Sequence, residues 1–147
     1  MSTSEKITLK LTVGSTDFAV PLGLRIHFNG AVIYENAHVS SETEIQHDFS
    51  DDDGEHELAF EMFGKLPEHT KINEAGEILS DAMLSVTNLN MDEIDINHLF
   101  QQLATYTHDF NGSQSSADHK FYGFMGCNGA VKFKFTTPIY LWFLENM

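Results

Sequence analysis

The residues equipped to hold a hard cation fall in two acidic stretches. The first, "FSDDDGEHELAFEM" (49–62), sets three aspartates before a glycine and two glutamates. A helix–loop–helix calcium loop needs oxygen ligands at its first, third and fifth positions, glycine sixth and glutamate twelfth. With Gly54 sixth, Asp51 and Asp53 take the third and fifth places, but Phe49 and Phe60 stand where the first and twelfth ligands belong. That loop is excluded. A non-standard calcium cage from Asp51, Asp53 or Glu55 stays open, beside the simpler expectation of a tight turn at Asp53-Gly54. The second stretch, "NLNMDEIDIN" (88–97), offers Asn90, Asp92, Asp95 and Asn97. Asp92 and Asp95 are its calcium candidates; the alternatives are the wet side of a sheet and an Asn97 cap on the following helix. Apart from calcium, no cofactor is expected.

Catalytic constellations are scarce. The eight histidines include no pair at four-residue spacing with an adjoining glutamate, and Cys127 is the only cysteine, so neither zinc pattern is present. There is no Gly-x-Ser-x-Gly elbow and no glycine-rich phosphate loop. "NGSQSSADHK" holds Ser113, Ser115, Ser116, Asp118 and His119, but a triad is defined by geometry, not by order in the chain. With no acid pair singled out, the expectation is a non-catalytic protein.

The elements that must position these residues have mostly a period of two. "KITLKLTV" alternates Ile7, Leu9 and Leu11 against Thr8, Lys10 and Thr12, and "LRIHF" does the same with Leu24, Ile26 and Phe28, the pattern of half-buried strands. Hairpins are expected at Asn29-Gly30, at Asp53-Gly54 and around Cys127, Asn128 and Gly129. "MLSVTNLNMDEIDI" (83–96) reads as one or two strands. "INHLFQQLATY" (96–106) has helix-like spacing at Leu99, Leu103 and Tyr106. "GKLPEHTKINEAGE" (64–77) and "THDFNGSQSSADH" (107–119) read as ordered loops. The apolar run "IYLWFL" (139–144) suits a buried strand or a docked tail. Eight to ten short strands with one short helix point to an all-β, jelly-roll-like sandwich.

At 147 residues the chain suits one domain with a core of its own. Its N-terminus lacks the basic-then-apolar run of a signal peptide, so a soluble chain made without a cleaved leader is expected. A net charge of −14 has the wrong sign for nucleic acid. Seventeen of the 22 acids lie between Glu35 and Asp95, with Lys65 and Lys71 as the lysines among them. A solvated surface accounts for this; cation binding or docking onto a basic partner are the sharper expectations.

"DDDGEHELAFEMFGK" and "LSVTNLNMDEIDI" resemble the sheet framework of small jelly-roll carbohydrate-binding modules of the calcium-dependent, xylan-binding kind. "DGEHELAFEMFGK", "MDEIDINHLF" and "FTTPIYLWFLENM" are also similar to short proteins of tailed phages, cyanophages especially, across residues 43–147. The phage resemblance implies a virion accessory protein on the capsid, tail or fibre. Its partners would be other virion proteins and copies of itself, joined through strand edges or the apolar C-terminal run. The other resemblance implies a glycan-binding module, calcium-assisted, with a polysaccharide partner. Tyr106, Phe110 and Tyr122 flank the polar loop and could stack on a sugar. Phe121 and Trp142 read as core.

Overall fold

The computed structural model describes residues 6–108 and 115–146. Along these the chain forms β1 (Lys6–Ser15), β2 (Gly23–Phe28), β3 (Ala31–Asn36), β4 (Thr43–Ser50), β5 (Gly54–Phe63), β6 (Thr70–Ile72), β7 (Ile78–Asp81), β8 (Leu84–Met91) and β9 (Ile94–Asp95). Then follow α1 (Asn97–Leu103), β10 (Thr105–His108), β11 (Ala117–Lys120), β12 (Phe124–Met125), β13 (Gly129–Thr137) and α2 (Ile139–Asn146). The larger sheet has the order β11-β10-β13-β5-β2-β3. The smaller has β12-β8-β1-β4, with β9 also paired to β8. The chain crosses repeatedly from one sheet to the other, which makes the jelly-roll-like sandwich. Strands β6 and β7 form a separate two-stranded arm.

The period-two pattern supplies the core. Ile7, Leu9, Leu11 and Val13 of β1 face Leu58, Phe60 and Met62 of β5 and Val131, Phe133 and Phe135 of β13 across one buried cluster. Burial of this apolar surface is the main term holding the sheets together, at about 25 cal/mol per Å². Helix α1 plugs the sandwich with Phe100, whose ring centroid lies 5.5 Å from Phe60, 5.1 Å from Phe121 and 5.4 Å from Phe133. Helix α2 buries Ile139, Trp142 and Phe143, with Trp142 edge-on to Phe133 at 5.7 Å.

Several expectations change. Asn29-Gly30 is a hairpin turn, with φ of 51° and 84°. Asp53-Gly54 is not: β4 and β5 belong to different sheets, and 51–53 form an arch between them. Alternation alone could not distinguish the two, because both strands turn their apolar sides inward. The arch is closed by Phe49 and His56 at 5.5 Å. The third expected hairpin is likewise a crossover, since β12 pairs with β8 and β13 with β5 and β10. Asn97 does not cap α1. It is the first helical residue, its Oδ1 accepts the Leu89 N–H at 3.3 Å, and Ile96 stands at the cap. The 139–144 run forms helix α2, and the first expected loop contains β6. The small strands β6, β7, β9 and β12, of two to four residues each, are too short for a periodic signal; with them the strands among the described residues number thirteen.

Candidate functional site

The outer face of the smaller sheet is polar by alternation. In register, Gln46 of β4 faces Lys10 of β1, Lys10 faces Asn90 of β8, and Asn90 faces Asp95 of β9. Residues paired across strands share a face, so one row carries two amides, an ammonium and a carboxylate. Beside it, Thr8 donates its hydroxyl to Asp48 Oδ1 at 2.9 Å.

The β8–β9 turn closes one end of the row. Asp92 and Glu93 have φ of 50° and 68°, the left-handed pair of a two-residue hairpin turn, here built without glycine. The turn is held by reciprocal bonds to β1: the Asp92 N–H donates to the Thr8 carbonyl at 2.9 Å, and the Thr8 N–H donates to Asp92 Oδ1 at 2.8 Å. The other carboxylate oxygen, Oδ2, receives the Tyr140 hydroxyl at 3.5 Å, which brings a half-exposed ring of α2 to the rim. Two hollows adjoin here, of about 400 Å³ beside Thr8, Gln46 and Asp92 and about 290 Å³ beside Asn88, Asn90 and Asp95. Lys10 and Glu93 line both.

The opposite face of the sandwich is less available. There the Arg25 guanidinium binds Glu35 at 2.8 Å and Glu61 at 2.9 Å and lies over the Phe63 ring at 4.7 Å. The Arg25 hydrogen bond is the main cause that pulls the Glu61 carboxyl below its ordinary range. These groups are engaged with one another.

The expected calcium ligands do not converge. Asp51 Oδ1 accepts the Ile139 N–H at 2.8 Å, at the start of α2. Asp53 is exposed on the arch, and Asp95 Oδ1 accepts the Asn97 N–H at 2.9 Å. Asp92 is bound to Thr8 and Tyr140 as described. Among the described residues no three His, Cys, Asp or Glu side chains gather into a metal cage. Lys10 lines the hollow beside Asp92 and the hollow beside Asp95, so its ammonium is a cation already present on this face.

The stacking candidates separate as well. Tyr106 is 5% exposed, too deep to offer a ring face. Its hydroxyl accepts the Cys127 N–H at 2.9 Å and donates to the Cys127 carbonyl, and burial pushes its pKa up. Phe110 lies outside the described residues. Tyr122 is 70% exposed with the Lys120 ammonium 5.4 Å from its ring centroid. It sits towards the far end of the smaller sheet, where neighbouring Phe124 pairs with Ser85. Tyr140 carries no signal in the sequence, because it stands in an apolar run, which gives no sign of which side of a helix will face water.

One arrangement outside this face resembles a hydrolytic triad. Asn29, His56 and Thr137 are linked in series, Asn29 Nδ2 to His56 Nδ1 at 2.9 Å and His56 Nε2 to Thr137 Oγ1 at 3.0 Å. The proton positions rule it out. The Glu57 N–H donates to Asn29 Oδ1 at 2.8 Å, which turns the Asn29 amide nitrogen towards His56. His56 Nδ1 must then accept, so Nε2 carries the proton and cannot take one from Thr137. The Thr137 hydroxyl instead donates to the Asp52 carbonyl, and Thr137 is 2% exposed. It is a structural latch.

No protein-family model and no curated protein matches the chain. Two solved structures resemble it in shape. One is vCBM60, described as a calcium-dependent carbohydrate-binding module, with a TM-score of 0.49 at 10% identity, covering 86% of this chain and 89% of that one. The other is vCBM60 in complex with galactobiose, with a TM-score of 0.49 at 11% identity, covering 86% and 96%. A likeness this slight carries no argument about ligand or activity.

Proposed function

We propose that the protein is a non-catalytic carbohydrate-binding domain that takes a neutral saccharide on the outer face of its smaller sheet. The observation that carries this reading is the Tyr140 ring set by Asp92 at the mouth of the Gln46–Lys10–Asn90–Asp95 row. Sugars need two kinds of contact: planar amides and carboxylates for adjacent hydroxyls, and an aromatic face for the ring C–H groups. The row offers the first and Tyr140 the second. The ligand is neutral because Asp48, Asp92, Glu93 and Asp95 outnumber the ammonium groups of Lys6 and Lys10 on this face and repel uronate or sulfate groups. Exposed Tyr122 is a second, separate position for a stacking contact.

The test is calorimetric titration with xylo-, galacto- and manno-oligosaccharides, repeated on Lys10→Ala and Asn90→Ala. Binding to one neutral series that weakens at least fivefold in both variants supports the reading. Binding unaffected by either variant, or no binding to any saccharide, overturns it.

A second reading, an assembly protein such as a phage virion component, is favoured by the β6–β7 arm. Ile72, Ile78 and Leu79 are each more than half exposed there, which is unusual for apolar residues clustered on one short hairpin. A defined oligomer in solution that is lost on Ile72→Ser/Leu79→Ser would support it; a monomer that associates with no particle would end it.

A further inference from the structure

Two exposed apolar patches lie at opposite ends of β8. The β6–β7 arm stands just before its first residue, Leu84; just after its last, Met91, comes Asp92, whose Oδ2 receives the Tyr140 hydroxyl of α2. The strand between them spans roughly 26 Å for its eight residues. In the arm no residue of β6 or β7 is buried, and Ile72, Ile78 and Leu79 face water. The arm is nevertheless fixed at both ends. At its tip Asn73 Oδ1 accepts the Ala75 and Glu77 N–H groups, each at 2.9 Å. At its base the Ala82 N–H donates to the His69 carbonyl at 3.1 Å. In α2, residues 139–144 are all apolar, yet only Ile139, Trp142 and Phe143 are buried, and Leu141 and Leu144 are 57% and 80% exposed. A helix apolar on every side calls for cover on every side.

We infer that the arm of one copy of this chain docks on the outer side of α2 in a second copy. This rests on the assembly reading of the arm and names what the arm meets; it is independent of the saccharide reading. A second copy is the occupant because one molecule carries both halves of the contact, at opposite ends. Arm against arm would cover one patch and leave Leu141 and Leu144 in water, whereas arm on α2 covers both, a contact between unlike surfaces. A hollow of about 370 Å³ beside Leu141 gives a branched side chain of the arm a place to enter. The arm side chains are not needed in the core, and the fixed tip and base leave little backbone freedom to lose on docking. Two chains of −14 repel each other, so this apolar contact strengthens as salt screens the charge.

The test is sedimentation equilibrium of the full chain at rising protein concentration and at two salt concentrations. It is repeated on Ile72→Ser/Leu79→Ser, on Leu141→Ser/Leu144→Ser and on their equimolar mixture. The expected result is a parent that self-associates, more tightly at high salt, and two variants that each weaken association at least tenfold alone. The mixture regains a dimer, because one variant keeps its helix face and the other its arm. Leu144→Glu, at the most exposed of these positions, repeats the test if the double helix variant loses its fold. A helix variant that associates like the parent, beside a monomeric arm variant, would keep the assembly reading and overturn this contact. A mixture that stays monomeric would overturn it too. So would a parent that is monomeric under all conditions, and the assembly reading would then stand or fall on particle binding.

Discussion

The Lys65 ammonium lies 2.5 Å from Asp81 Oδ1, and its side chain is wholly shielded from water. Its other hydrogens go to the Ala82 carbonyl at 2.6 Å and the Gly126 carbonyl at 2.8 Å, so all three donors are used. Asp81 also accepts the Thr70 hydroxyl at 2.7 Å. Lys65 precedes the β6–β7 arm and Asp81 ends it, so the pair clamps the arm to the sandwich next to β12. One of the two lysines between Glu35 and Asp95 is therefore internal and spent on an acid of the same stretch.

Lys65→Met keeps the bulk and removes the charge. It leaves the Asp81 carboxylate and two carbonyls without their donor, a loss of about 3 kcal/mol by analogy with broken buried pairs. Urea unfolding should show a lower midpoint with an unchanged slope. A midpoint equal to that of the parent would mean that the clamp contributes nothing net.

His56 makes stability depend on pH. Burial among Phe28, Phe49 and Phe135 lowers its pKa below the ordinary 6.5, and the Asp51 charge opposes this only in part. The unfolded chain takes up a proton near 6.5 that the folded chain refuses, so stability is complete above that pH and declines as pH falls below it. Protonation also sets an Nδ1–H against the amide hydrogens of Asn29. The melting temperature should therefore drop between pH 7 and pH 5.5, and drop less in His56→Phe. Identical drops would assign the acid sensitivity to other groups.

The layers of the sandwich were legible in the sequence because alternation fixes which side of each strand is buried, and Leu9, Phe60 and Phe133 all lie where it puts them. Pairing was less legible. "DG" between alternating runs marks a change of direction, but a hairpin and an arch between sheets share that signal. Gly129 shows the same limit. It looks like a turn glycine, yet it begins β13, where a Cβ would strike the Thr107 carbonyl oxygen and His108. The close approach of β10 demands the glycine. Asp92 and Asp95 were visible as candidates, but their partners Lys10, Gln46 and Tyr140 come from segments far away in the chain. Only the register of β4, β1, β8 and β9 brings them together.

Tyr106→Phe removes one oxygen and no packing volume. The Tyr106 hydroxyl serves both the N–H and the carbonyl of Cys127, so its loss should cost about 1 kcal/mol, the usual net worth of such a hydrogen bond. The variant should keep the fold and any saccharide binding. If binding were lost with the fold intact, Tyr106 would belong to a ligand contact after all.

Calcium separates the two roles of the acidic turn. A cation specific for the folded chain adds about 2.7 kcal/mol at a hundred times its dissociation constant, a visible rise in melting temperature. Asp92 Oδ1 already holds the Thr8 N–H, Asp95 Oδ1 the Asn97 N–H and Asp51 Oδ1 the Ile139 N–H. Binding calcium through these oxygens would mean sharing or breaking those bonds beside the Lys10 ammonium. Millimolar calcium, compared with chelator, should therefore leave the melting temperature of the parent unchanged. Lys10→Ala removes the competing cation, and a rise confined to that variant would show that Lys10 occupies the place a metal would take. A rise in the parent itself, abolished by Asp92→Asn, would put a calcium ion on the β8–β9 turn and make the saccharide site metal-assisted.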